Sequence, residues 1–369
     1  MLDAVIVGAR CAGAPLAMLL ARAGYRVVAL DRDHFPSDTL STAFLQEEAI
    51  ERLDAWGVLG PLLDAGTPGV ETVRFHAMGM TFPRPPLPHA ALAPRRTVLD
   101  ALLVEAARAA GAEVREGASV RALLRDGDGR VCGVEGVAGG VPFREEARVV
   151  IGADGRHSLV AKAVGAPRYR EHPGTACGFY SYYEGMPGDS ADLLLGDHHA
   201  LFSFPTNDGL TCLAVEAPMD RWETFRADPD AYLMDAFQRW GGPLAPYAAR
   251  AKRVERWYGQ RGPGSYFRAA HGPGWALAGD AGYLKDPILG TGIDDAFRDA
   301  AALADAIAAG LSGREPLDEA LAGYQEARDA SQEGKYELIC DMATLNFTPQ
   351  LLQRMATSMP GGPRDRTAS

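Results

Sequence analysis

Three aspartates in this chain stand where an apolar run stops. Asp31 follows Arg26-Val27-Val28-Ala29-Leu30, Asp154 follows the run Ala147–Gly152 and Ala153, and Asp280 follows Trp275-Ala276-Leu277-Ala278 and Gly279. A carboxylate at the end of a buried strand is a fixed acceptor, suited to the hydroxyls of a sugar or polyol. Beyond Asp280 a loop carries Pro287, and Gly290-Thr291-Gly292 then opens a long Ala-rich helix from Ile293 to Gly310. N–H groups at a helix start are unpaired and carry the positive end of the helix dipole. Asp280 and that helix start together suit a polar ligand that gains negative charge.

The elements that position Asp31 are read next. Ala4-Val5-Ile6-Val7 is a short apolar strand, and Gly8-Ala9-Arg10-Cys11-Ala12-Gly13 follows at once. Apolar residues then recur at helical spacing from Ala12 to Ala23, before the second strand and its terminal Asp31. This is the βαβ nucleotide fingerprint, with a tight turn, a helix start facing a pyrophosphate and an acid for ribose hydroxyls. Arg10 occupies the place of the middle glycine, where its cation could meet a phosphate directly. Asp154-Gly155 lies between the other two motifs, at the end of strands broken by the turn Asp126-Gly127-Asp128-Gly129.

In this order the three motifs resemble those of the group A flavoprotein monooxygenases of the para-hydroxybenzoate hydroxylase type. The resemblance covers roughly Ala4 to Gly310. It implies an α/β fold: an FAD-binding, Rossmann-like domain of the glutathione reductase type, interleaved with an antiparallel-sheet substrate domain. The FAD domain would comprise residues 1–70, 95–175 and 265–330, the substrate domain 71–94 and 176–264, and C-terminal helices and a tail 331–369. Cofactor contacts would come from Gly8, Arg10, Ala12 and Gly13, and from Asp31 and Arg32 at the second strand's end. Arg96, at the start of an amphipathic helix, and Val120 would join them, with Asp154, Gly155, Gly279, Asp280, Gly292 and Ile293. Pro287, Gly290, Thr291 and Gly292 would stand beside the reacting flavin ring. In the family NADPH or NADH reduces FAD, O2 adds at flavin C4a, and the hydroperoxide oxidises an electron-rich aromatic or polycyclic substrate.

Substrate contacts are expected from Ala43, Tyr180, Tyr182, Phe204 and Leu284. The nearest branch of the family would carry His in place of both Ala43 and Leu284. Their loss leads one to expect a dry substrate side, without side-chain proton carriers. The strands Cys177–Tyr183, Ala200–Pro205 and Leu210–Val215, with the hairpin turn Thr206-Asn207-Asp208-Gly209, supply the aromatics. No acid–base pair stands out from the sequence alone.

Three competitors share parts of this pattern. A flavin halogenase would carry a Trp-x-Trp-x-Ile-Pro string and an early Lys, whereas the first Lys here is Lys162. A flavin reductase or dehydrogenase of an isoprenoid or polycyclic substrate shares the cofactor motifs and stays open. A non-catalytic FAD-fold binding protein is disfavoured by the intact Asp31, Asp154 and Asp280. A net charge of −11 disfavours nucleic acid as a partner. The five cysteines show no paired or metal-ligand spacing, so no metal site is expected. No apolar run reaches the ~18 residues of a membrane span, and no secretory leader is visible, so a cytoplasmic protein without a membrane partner is expected.

Overall fold

The computed structural model describes residues 1–83 and 89–358. At its centre Leu2–Val7 lies between Val27–Leu30 and Val141–Gly152, parallel to both, and Trp275–Leu277 extends the sheet beyond Val141–Gly152. Their mutually paired parts, residues 4–7, Val27–Leu30, residues 149–152 and Trp275–Leu277, are apolar because helices or a second layer cover both faces there, as parallel sheets require. On one face pack the helices Gly13–Arg22, Arg96–Ala109 and Gly292–Leu311. On the other lie the antiparallel strands Ala118–Arg125 and Val131–Ala138, with Val160 and Ala161.

The pairing register brings the strand ends level. Gly8 N–H donates to Leu30 O, Ala153 N–H to Val7 O, and Ala278 N–H to Gly152 O. Asp31, Asp154 and Asp280 therefore emerge at the same carboxyl edge of one parallel sheet, where α/β folds bind their ligands.

A second, eight-stranded sheet is built from Ala176–Glu184, Thr211–Pro218, His199–Pro205 and Ser190–Gly196, with Thr72–Ala77 and Met80–Pro83 at one edge and Lys252–Arg253 and Tyr258–Arg261 at the other. The segment after residue 70 thus pairs with strands more than a hundred residues later, as expected for an interleaved unit. Alternation sorts the side chains of Thr211–Pro218. Leu213, Val215 and Ala217 face the helix Pro229–Trp240, whereas Cys212 and Ala214 join Tyr180, Tyr182 and Phe204 on the opposite face.

Three details differ from the sequence reading. A small third sheet, Arg168–His172 with Ser265–Arg268 and Tyr283–Leu284, was not foreseen, and it places Leu284 opposite Tyr266. The helix Leu317–Met342 runs straight through residue 331, where the C-terminal helices were expected to begin. Its amphipathic pattern is weak because Arg328 and Gln332 are buried on the same side as Leu321 and Tyr324. The Pro-rich stretch 83–94 is not merely a connection, since Ala91–Leu92 pairs with Gly69–Val70, while its residues 84–88 and the tail from Pro360 lie outside the described residues.

Gly13 has a specific packing duty. A Cβ there would stand 1.8 Å from the Gly8 carbonyl oxygen, so only glycine lets the first helix approach the first strand's turn. Gly13→Ala is expected to lower the melting temperature sharply and to abolish flavin retention. Gly323→Ala, on the exposed side of the Leu317–Met342 helix with no atom within 4 Å of its Cβ, should instead stabilise by about 0.5–1 kcal/mol. Thermal melts of both variants check the contrast.

Candidate cofactor and substrate site

A continuous cavity of about 1210 Å³ begins at the turn Gly8–Ala12 and ends on the aromatic face of the second sheet. Its near end is lined by Gly8, Arg10 and Ala12, by Asp31 and Arg32, and by Arg96 and Val120. Asp154, Gly155, Gly279, Asp280, Gly292 and Ile293 continue the wall. Pro287, Gly290 and Thr291 lie midway, and Ala43, Leu284, Tyr180 and Phe204 line the far part. Nearly all the residues singled out from the sequence are thus brought to one space.

Two are not. Gly13 lies behind the wall, against Gly8, so its part is the packing just described. Tyr182 is buried away from the cavity beneath the Arg95 guanidinium, 3.8 Å from the ring centre, and Arg95 is held by Glu255 at 2.6 and 3.0 Å. The sheet's aromatic face extends farther than the cavity does, and this ion pair covers the excess.

Within the wall the charged groups are strongly organised. Asp31 accepts from the N–H groups of Ala9 at 2.8 Å and Asp33 at 2.9 Å, tying the second strand's end to the glycine turn. Arg10 does not reach freely into the cavity. Its Nη1 donates to Asp100 and Ser37, and its Nη2 to Asp33 and Ser37. The cation at the place of the middle glycine is paired with the protein's own carboxylates, while Arg10 still lines the cavity. Arg96 grips the fully buried Asp100 through Nε and Nη2 at 3.0 and 2.9 Å. Asp154 caps its own short helix, accepting from Ser158 Oγ at 2.5 Å and Leu159 N–H at 2.6 Å.

Asp280 is different. Among the described residues no donor meets its carboxylate, which stands on the cavity wall. Burial, with the nearby Asp295 charge adding, pushes its pKa up to about 6 against the pull of Arg96. The backbone before it is fixed, because Gly279 N–H donates to Asp299 at 3.0 Å. A carboxylate so held and so unsatisfied fits a ligand that brings hydroxyl donors. That is the test an FAD polyol chain must meet, and the residues present meet it. At the helix start Gly292–Leu311 the cavity also meets unpaired N–H groups.

The expectation of a cavity without proton carriers is corrected here. Ala43 and Leu284 do line it with apolar side chains, but Lys285, Asp286, Glu216, Asp294 and Asp295 line it too. Lys285 Nζ stands 2.6 Å from Asp295, whose other oxygen meets Arg298 at 2.9 Å. Burial raises the proton affinity of Asp295, but Lys285 and Arg298 outweigh it and hold the carboxyl below the ordinary range. Asp294 has no such cation in contact, and burial followed by the Asp295 charge lifts it to about 7. One sequence sign was available: two acids in the first turn of a long helix, beside one of only four lysines.

These features define a nucleotide-binding α/β fold with a second sheet closing its ligand cavity. Residues 1–200 match the family model described as FAD binding domain, and the chain belongs to that family, the one of the group A aromatic-hydroxylase-like FAD monooxygenases. A 12-dehydrotetracycline 5-monooxygenase/anhydrotetracycline 6-monooxygenase of Streptomyces rimosus is 27% identical over 356 residues, covering 88% of this chain and 66% of that protein. A menaquinone reductase of Mycolicibacterium smegmatis is 28% identical over 324 residues, covering 79% and 73%. The chain spans from half to about two thirds of the length of the first curated relatives it matches. The flavin-dependent brominase Bmp2 shares the fold with a TM-score of 0.85 at 21% identity, over 97% of this chain and 90% of that one. No helix among the described residues is long and apolar enough to cross a membrane.

Two outcomes follow from the carboxylates. Asp280→Ala removes the acceptor left free for a polyol hydroxyl, and a charged hydrogen bond contributes about 1.5–3 kcal/mol. FAD affinity should fall roughly tenfold or more, read by equilibrium dialysis. For Asp294, a folded-state pKa near 7 lies above the ordinary value of 3.8. The folded protein thus holds that proton more tightly, and the stability it confers is lost as pH rises through about 7. Asp294→Asn, which keeps the acceptor for Gln46 N–H, should match wild type at pH 4 and exceed it by roughly 2–4 kcal/mol at pH 9 in urea titrations.

Proposed function

We propose that this chain is an FAD-dependent monooxygenase, reduced by NADPH or NADH and using O2, that acts on an electron-rich aromatic or polycyclic small molecule. The observation that carries the reading is the single cavity joining the three strand-end aspartates to the aromatic face at Tyr180 and Phe204. In this reading residues 1–70, 95–175 and 265–330 hold FAD, and 71–94 with 176–264 hold the substrate. The helices beyond 331 close the far end, where Leu338 and Met355 line the cavity.

FAD, when bound, supplies the two-electron chemistry and the activation of oxygen. The chain's own residues do the rest. Asp31 and the Gly8–Ala12 turn would receive the adenosine and pyrophosphate, and Arg96 would add a cation there. Asp280 would accept from the polyol, and the helix start at Gly292 would stabilise negative charge. Ala43, Leu284 and Phe204 would exclude water from the substrate.

A second reading, a flavin reductase of a quinone or isoprenoid, is favoured by one observation, the similarity to a menaquinone reductase over 79% of the chain. Both readings predict a yellow protein that oxidises a nicotinamide nucleotide. With isotopically labelled O2 the monooxygenase reading expects label in the product, in stoichiometry with nucleotide oxidised. An unlabelled product carrying two additional hydrogens would replace it by the reductase reading. A protein that takes up no FAD on titration would end both.

A further inference from the structure

Besides Asp31, five buried acids stand on the cavity wall, and the protein treats them unequally. Asp295 is met by Lys285 and Arg298. Asp192 is met by Arg74 and His76, each at 2.7 Å. Asp294 has the helix start. Glu216 and Asp286 have each other. Glu216 comes from the strand Thr211–Pro218, on the same face as Ala214, between Gly178 and Ala200 of the neighbouring strands. Asp286 stands just before Pro287, its Oδ1 accepting from Ile288 N–H at 3.1 Å and its own N–H donating to Ser265 Oγ. Both are about 95% buried, both line the cavity, and among the described residues no donor faces Glu216 Oε2.

Two adjoining carboxyls without a cation make a hydrogen bond only if one of them keeps a proton. Burial, then the charge of Asp286, raises Glu216 far above the carboxylate range, and burial raises Asp286 as well. The other titratable groups near the pair offer no positive charge. Lys285 is turned to Asp295, and the thiols of Cys177 and Cys340 are both raised by burial and so neutral. The same chamber carries Phe75, Phe202, Phe204 and Tyr180, and its further cation, Lys335, acts on Glu48, Asp294 and Asp295 and not on this pair.

We infer that Glu216 and Asp286 form the polar anchor of the substrate chamber and take the ammonium group of an arylalkylamine. This rests on the proposed placement of an aromatic substrate in that chamber. A protonated amine supplies the missing cation and the donors that Glu216 Oε2 lacks, and an ion buried with its partner avoids the cost of an unpaired one. Its arrival displaces the proton the two carboxyls share, which passes to solvent, so charge is conserved within the chamber. Binding therefore strengthens as pH rises, until the amine itself loses its proton.

The FAD-loaded protein is titrated with tryptamine and with its neutral counterpart 3-propylindole, following the flavin absorbance, in wild type, Glu216→Gln and Asp286→Asn. Tryptamine should bind wild type about tenfold more tightly than 3-propylindole and release protons into a weakly buffered indicator solution. In both variants the preference should fall to near one and the proton release should vanish, with 3-propylindole affinity and FAD content unchanged. Equal affinities in wild type, no tryptamine binding, or a preference that survives in both variants would overturn the inference. Amine binding without any oxygenated product would instead count against the proposed reaction and leave the anchor standing.

Discussion

The arrangement depends on the parallel pairing of Leu2–Val7 with a strand on either side. Backbone hydrogen bonds at the strand ends, from Gly8 to Leu30 and from Ala153 to Val7, fix how far each strand reaches before it turns. Main-chain groups alone would pair equally well one residue out of step, so it is the apolar faces of these strands, packed in two separate cores, that select the register placing Asp31 and Asp154. A one-residue slip would turn each strand's side chains to the opposite face. It would also move the carboxylates away from the helix starts that share their ligand. Gly8 illustrates how tight the junction is: its φ is +97°, and a Cβ there would lie 2.4 Å from the Ala153 carbonyl oxygen.

Electrostatics is the second constraint. Asp100 is fully buried yet accepts from Arg10, Arg96 and Cys11, so two cations and a thiol converge on one carboxylate. Removing it would leave the buried Arg96 guanidinium without its carboxylate and beside the partly buried Arg10, which keeps Asp33, a larger penalty than the net contribution of a single pair. The same logic runs through Asp295, Lys285, Arg298 and Glu48 on the other side of the cavity. These networks orient the helix starts Arg96–Ala109 and Gly292–Leu311 toward the space between them.

Much of the cofactor end was legible in the sequence, because it is written in short-range signals. A strand, a glycine turn and a terminal acid are contiguous, and their physical meaning survives without knowledge of the tertiary fold. What the sequence could not show is where a long side chain turns. Arg10 reads as a cation aimed at a phosphate, yet Asp100, ninety residues away, captures it. Tyr182 and Tyr180 share a strand face and look equivalent by alternation. Only the Arg95–Glu255 pair, brought from two distant segments, separates a covered tyrosine from one that lines the cavity.

The substrate end was least legible for a related reason. Glu216 sits in a strand whose period is clear, but a single acid on an otherwise apolar face reads as noise until its neighbour is known. That neighbour, Asp286, belongs to a loop seventy residues later and to the other unit of the fold. Junctions between interleaved units combine residues that no local pattern links, so they escape motif reading. They are also where a fold can alter its ligand without disturbing its core. Asp31 accepts from the glycine turn and Asp154 from the helix start that follows it, so changing either would unsettle the local backbone. Side chains that meet only across the junction carry no such burden, which leaves the far end of the cavity free to vary while the near end stays constant.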